Sequence, residues 1–353
     1  MSTLKVDTLQ HRDGTEYILS ERNKLINGDF QVAQRGTSLT STDSANNDAK
    51  YTLDRWQLFS DGNDIVDVTQ ETTTVPTNQL YAIALDVETA NKKFGIAQKI
   101  EQKNCVDLIG QEVTLSFKAK VSATTNLDNV KCAIIAWDGT ADTLTDDMIS
   151  AWGSEGTDPT LATNYTYENT PANLNLTTSY ATYTTTATID TSGAKNVVVF
   201  IWSDVTTTSA GEFLYITDVQ LEKSPSASTF ERKSYGQQLA DCQRYYHQLG
   251  GNAAYEVFAI GVCATSTLFD CLVFPPVTMR ENCTVSSVGS NFKVYTGDNA
   301  PSADLTVSNI AALNACPSNI AVRATTSSAT IGRSGRLYAS NDTTLRIKFD
   351  AEL

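Results

Sequence analysis

The chain has 353 residues, 19% of them charged, and a formal net charge of −14. That acidic balance excludes a surface built to track phosphates, which needs clustered Lys and Arg, and it opposes docking on an anionic membrane. The length exceeds one ordinary core and implies more than one domain, and a 41% hydrophobic content is enough to fill them.

Residues 1–24 read as an arm. "STLKVDTLQ" alternates Leu4, Val6 and Thr8 against Lys5, Asp7 and Leu9, a short strand pattern, and "HRDGTEY" supplies an Asp-Gly turn. A segment this short cannot build a core of its own. It must add to its own domain, to a sister subunit or to another protein.

"NKLINGDFQVAQRGTSLTS" follows, and turns at Asn27-Gly28-Asp29 between apolar residues, with "YTLDRW" shortly after. Asn-Gly tolerates positive φ and marks a tight turn. From residue 25 to about 233 strand signals are dense and helix signals nearly absent. In "VTLSFKAKVSA", Val113, Leu115, Phe117, Ala119 and Val121 face one way and Thr114, Ser116, Lys118 and Lys120 the other, a half-buried antiparallel strand. "LYAIALDVE", "VKCAIIAWDG", "SYATYTTTATI", "NVVVFIWSDV" and "EFLYITDVQLEK" are further strands. Many short strands with no helices between them predict a β-sandwich. The span from Gly139 to Asn175 reads as a long loop or a set of short strands.

At Ser234 the pattern changes. Ser234 with Gln237 suits a capping box, Leu239, Cys242, Tyr246 and Leu249 keep helical spacing, and Gly250-Gly251 ends the run. The expected helix spans about Gln237 to Leu249. It would line an assembly axis or cover the C-terminal sheet. "VFAIGVCAT", "LFDCLVFPP", "CTVSSVG", "NFKVYTG" and "TLRIKFDAEL" then return to strands, a smaller β-sandwich module over residues 234–353. "GRSGR" at 332–336 reads as a hairpin tip.

The seven cysteines are odd in number and show no CxxC or other metal-ligand spacing. They read as reduced, buried thiols of a chain that folds in a cytosol. No apolar run suits a signal peptide or a membrane span. His11 and His247 have no Ser, Cys or metal partner nearby in sequence, which weighs against histidine-dependent hydrolysis and zinc.

Four blocks in order, "LINGDF", "LYAIALDVE…FGIAQKIE", "LIGQEVTLSFKAKVSA" and "LYITDVQLEK", resemble carbohydrate-binding modules of the galactose-binding-like jelly-roll fold. "NKLINGDFQVAQRGTSLTS…YTLDRW", "VQLEKSPSASTFERKSYGQQLADCQRYYHQLG", "FPPVTMRENCTVS" and the opening "MSTLKVDTLQ" resemble tail-fibre and other virion structural proteins of tailed bacteriophages. The resemblance implies an all-β chain with a jelly-roll β-sandwich over 25–233. It also implies attachment to another virion protein through residues 1–24, a homotrimer, and a virion location after assembly in the host cytoplasm. In such jelly rolls an acidic residue at the first turn and one on the last strand often hold a structural Ca2+. The matching positions are Asp29 and Asp218, which otherwise read as a turn acid and a strand-edge acid.

Three functions compete. Sugars stack on exposed rings, and Trp137, Trp202, Trp152 and Tyr165, with Tyr167, sit at strand ends or in the long loop; strand tryptophans also fill cores, and Trp56 in "DRW" reads as core. Glycoside cleavage needs two carboxylates about 5–10 Å apart, and no signature selects a pair. Assembly suits a coreless arm and stacked β modules. The expectation is a non-enzymatic tail-fibre or receptor-binding subunit that adheres to host glycan. A capsid-decorating or fibre-adaptor protein is the alternative, and a polysaccharide depolymerase the outsider.

Overall fold

A computed structural model of the chain describes residues 21–40, 45–297 and 304–353. The arm strand expected within residues 1–20 lies outside them. Residues 21–24, the described end of that arm, belong to the sandwich. Lys24 donates its backbone N–H to Leu221 O at 2.9 Å, and Asn23 donates its side-chain amide to Val219 O at 3.1 Å.

Fourteen strands build the first module: β1 Ser38–Leu39, β2 Lys50–Tyr51, β3 Gln57–Ser60, β4 Val66–Glu71, β5 Ala82–Val87, β6 Phe94–Ile100, β7 Glu112–Val121, β8 Val130–Trp137, β9 Ile149–Ala151, β10 Thr160–Leu161, β11 Tyr165–Tyr167, β12 Ala181–Thr188, β13 Asn196–Ser203 and β14 Phe213–Glu222. A one-turn helix, α1 Gln102–Cys105, follows β6. Two six-stranded antiparallel sheets, β1-β4-β5-β14-β7-β12 and β11-β8-β13-β6-β3-β2, form the jelly-roll sandwich. The alternating residues of β7 all enter the core between the sheets, where they meet Ile134, Val199 and Ile201 of the second sheet.

The second sheet is buried on both faces. Every residue of β8 and β13 is buried. Ile134, Ala136, Val197, Val199 and Ile201 point into the sandwich, while Ala133, Ile135, Trp137, Val198, Phe200 and Trp202 point into a second core on the far side. The segment over residues 139–168 seals that core with Met148, Ile149, Trp152 and Tyr165. Continuous apolar runs such as "VVVFIW" mark a strand covered on both sides.

The Asn27-Gly28-Asp29 turn is a docking element and not a hairpin. Asn27 takes φ +59°. Its side chain accepts from Val32 N–H at 2.9 Å and donates to Asp54 O at 3.0 Å, and its carbonyl accepts the Trp56 indole N–H at 2.9 Å. Gly28 lies so close to β14 that a Cβ would sit 2.1 Å from Val219 O. "LINGDF" and "DRW" are therefore one packed unit, with Phe30 and Trp56 ring centroids 5.2 Å apart.

The helix is shorter than expected. α2 spans Tyr235–Gln243, capped by the Ser234 side chain accepting from Gln237 N–H. Tyr246–Leu249 is strand β15, and it pairs with Ile347–Asp350 of the last strand. α2 lies against the sandwich, where Gln238 reaches Asp29 and Cys242 is fully buried.

The second module adds β16 Val257–Thr265, β17 Leu268–Val273, β18 Thr284–Val288, β19 Phe292–Tyr295, β20 Leu305–Cys316, β21 Asn319–Thr326, β22 Ser334–Ala339 and β23 Arg346–Asp350. It is a closed barrel, β16-β17-β21-β20-β19-β22, and not a sandwich. β16 bonds β17 on one side and β22 on the other, so the twisted sheet meets itself and loses its edges. The three-stranded sheet β15-β23-β18 packs Ile347 and Phe349 into the barrel core. All seven cysteines are free thiols, six of them buried, and burial pushes Cys105, Cys132 and Cys271 up to about 12.

Candidate functional site: the cleft between the modules

The aromatic residues expected to carry sugar do not reach solvent. Trp202 is 0% exposed, Trp137 3%, Tyr165 7% and Trp152 8%. They belong to the second core, where Phe200 stacks on Trp202 with centroids 4.7 Å apart and Trp137 meets Tyr165 at 4.7 Å. The covering segment is fastened through buried polar groups. Lys93 Nζ pairs with Asp204 and donates to the carbonyls of Ser154 at 2.8 Å and Thr157 at 3.1 Å. Asp204 also accepts from Gly156 N–H at 2.9 Å. The proposed saccharide surface on these four rings is thereby lost, because the segment after β8 folds back over the sheet.

Asp29 and Asp218 lie within range of each other's charge. Burial raises the Asp29 carboxyl, and the charge of Asp218 adds to that rise. Three of the four carboxylate oxygens accept from side-chain amides. Gln238 donates to Asp29 Oδ1 at 3.5 Å and Gln31 to Asp29 Oδ2 at 3.3 Å, while Gln79 donates to Asp218 Oδ1. Lys118 Nζ stands 2.9 Å from Asp218 Oδ2 and supplies the positive charge. Calcium takes six to eight oxygens; those of this cluster without a hydrogen-bond donor are Asp218 Oδ2, beside the Lys118 ammonium, and Gln238 Oε1. No group of three or more His, Cys, Asp or Glu among the described residues has metal-holding geometry.

A cleft of about 670 Å³ opens where the two modules meet. Its sandwich wall comes from β1, β2 and the loop over residues 144–146, and its other wall from β15, β23 and the chain after β23. Sequence reasoning missed it because its walls lie some 200–300 residues apart in the chain. At its base Arg35 stacks on Tyr246, with the guanidinium carbon 3.7 Å from the ring centroid, and faces Tyr51 at 5.4 Å. Arg35 also pairs with Glu352 at 3.2 Å and Asp350 at 3.5 Å. The Tyr51 hydroxyl donates to Leu353 O at 2.8 Å, and burial pushes that phenol up to about 12. Lys50 and Asp146 stand exposed on the wall formed by the sandwich. The 144–146 loop is pinned from beneath by Lys99, whose Nζ donates to Thr145 O at 3.1 Å and Asp146 O at 2.8 Å. Burial pulls that ammonium down to about 8.

The cleft is thus lined by both signs of charge, with the Tyr246 ring buried beneath Arg35. Of its carboxylates, Glu352 is bound by Arg35 and Arg55 and Asp350 by Arg35. The third carboxylate of the lining, Asp146, accepts from Gln57 Nε2 at 2.8 Å.

No family model matches the chain, and no curated protein matches its sequence. Solved structures are similar to parts of it. The enzymatically active domain of bacteriophage CBA120 tailspike protein 4 is 15% identical, with a TM-score of 0.34, over 59% of this chain and 22% of that one. A putative sugar binding protein from Bacteroides thetaiotaomicron is 15% identical, with a TM-score of 0.36, over 57% of this chain and 100% of that one. The CBM22-1 xylan-binding domain from Paenibacillus barcinonensis Xyn10C is 14% identical, with a TM-score of 0.29, over 49% of this chain and 87% of that one.

Proposed function

We propose that this chain is a non-enzymatic adhesion subunit that holds a surface glycan in the cleft between its two modules. The cleft carries the reading. Its volume lies in the ordinary range for small-ligand sites. Lys50 and Asp146 offer an ammonium and a carboxylate at its rim, the kind of polar group that hydrogen-bonds the hydroxyls of a sugar. Its inner carboxylates are tied to arginine, which favours binding without cleavage. The sequence resemblance supplies the setting: a tail-fibre or receptor-binding subunit of a tailed-phage virion, a homotrimer attached through the arm that precedes residue 21.

The test uses purified full-length protein with surface polysaccharide from candidate host bacteria. Lys50→Ala removes an exposed group; Asp146→Ala also takes an acceptor from buried Gln57 Nε2, so circular dichroism checks that each variant is folded. Losing one hydrogen bond to a charged group weakens binding by roughly tenfold. Retention on a polysaccharide column should fall for both variants, and no new reducing ends should form with the wild type. Unchanged retention in both variants removes the cleft from the account. Steady release of oligosaccharide makes the protein an enzyme.

A further inference from the structure

Oxygens converge where β4 begins. The Asn46 side chain is 0% exposed, and its Nδ2 donates to Asp64 Oδ1 at 2.8 Å, Asp67 Oδ1 at 3.0 Å and Val66 O at 3.2 Å. An amide nitrogen has two hydrogens, so three oxygens share two bonds. The other end of the same amide, Oδ1, is buried without a partner, which costs free energy. Asp86 lies directly opposite Asp67 on β5, and its Oδ1 is also buried without a donor. Like charges so placed repel. Burial first, and then the charges of Glu88, Asp64 and Asp86, push the Asp67 carboxyl up.

The place thus has an excess of oxygen and of negative charge, and a cation answers both. Turned over about its last bond, the Asn46 amide directs Oδ1 to the point that Nδ2 now fills. Asn46 Oδ1, Asp64 Oδ1, Asp67 Oδ1 and Val66 O then face one another, and they repel unless a positive ion stands among them. Calcium accepts this mixture, because it takes carboxylates, amide and main-chain carbonyls and water in flexible geometry. Only two of the four oxygens are carboxylate oxygens, so the set differs from the clusters of three or more His, Cys, Asp or Glu that are absent among the described residues. Two carboxylates balance a doubly charged ion, and Asp86 and Glu88 add negative field around it.

We propose that Asn46, Asp64, Asp67 and the Val66 carbonyl form a calcium site at the head of β4. The site is separate from the Asp29–Asp218 pair, and it holds whether or not the cleft takes a glycan. Sites with few charged ligands bind calcium at about 0.1–1 mM, so the ion enters only when it is added. Equilibrium dialysis of the chelator-treated full-length chain against radioactive calcium tests it, with Asp64→Asn, Asp67→Asn and Asp218→Asn alongside. Asp64 has φ +56°, a conformation that Asn accepts, and circular dichroism checks that every variant is folded. The expected result is one ion per wild-type chain in that range, uptake lost in Asp64→Asn and Asp67→Asn, and uptake kept in Asp218→Asn. A wild type that takes up no calcium overturns the site. Uptake that survives in both folded β4 variants, or that is lost in Asp218→Asn alone, puts the ion elsewhere and overturns it as well.

Discussion

At the scale of single residues, the Asp29–Asp218 cluster sets a lysine beside a buried acid. Two buried carboxylates side by side repel and resist desolvation. Lys118 relieves that from the outer face of β7, where "TLSFKAK" had placed it as a solvent-facing residue. The alternation predicted its side correctly; its partner, a hundred residues away on β14, left no local signal. If Lys118 stands where a cation is otherwise needed, chelator should leave the thermal midpoint of the wild type unchanged. Lys118→Met should lower the midpoint, and added calcium should then restore part of the loss. One exposed-edge ion pair to a buried acid is worth about 1–2 kcal/mol, a shift of a few degrees. Calorimetry with and without calcium reads both arms. A wild-type midpoint that drops on chelation would show that the ammonium is not the sole counter-charge.

Elements were legible where one period governed them. β7, β8, β13 and β14 follow from alternation or from continuous apolar runs, and the Ser234 cap from its own residues. The helix end was misplaced because Tyr246 and Leu249 keep the helical spacing from Cys242 while their backbone bonds go to β23, a hundred residues on. The four candidate sugar-binding rings failed for a related reason: whether a strand tryptophan faces water depends on where the segment after Trp137 goes. That segment is held partly by Lys99, which gives it a pH signature. Burial holds the Lys99 ammonium at about 8 in the folded chain against 10.5 unfolded. The unfolded chain therefore binds the proton more tightly between those values, and folding stability contributed by this site rises as pH increases from 8 to 10.5. Below pH 8 the site carries its full penalty. The limit is about 3 kcal/mol, and carbonyl acceptors reduce it. Lys99→Met removes the titration, so the wild-type-minus-variant unfolding free energy should climb across that window. Denaturant melts at pH 7.5 and at about pH 10 decide it, and a flat difference contradicts the assignment.

At the scale of the whole molecule, the two modules meet through charge and rings more than through a shared apolar core. The sandwich and barrel cores are separate clusters. Arg55 stacks on Tyr245 at 3.7 Å and pairs with Glu352. On the neighbouring side Glu101 accepts from Arg244 at 2.8 and 3.0 Å and from the Tyr245 hydroxyl at 3.0 Å. These contacts fix the walls of the cleft, so its shape depends on the junction staying closed. Interfaces of this polar kind ordinarily permit domain motion; here several charge-assisted bonds converge on two acids, and removing one acid strands its partners. Glu101→Ala leaves Arg244 and the Tyr245 hydroxyl without their acceptor at a partly solvated site, a cost of roughly 2–3 kcal/mol. The cost falls on the junction and not inside either core. Differential scanning calorimetry should therefore show one cooperative transition for the wild type and two for Glu101→Ala, the sandwich and barrel melting apart. Glycan retention should fall with it, although Glu101 lines no part of the cleft. A single transition in the variant, merely lowered in midpoint, would mean that the modules are coupled elsewhere and that the cleft does not rely on this contact for its shape.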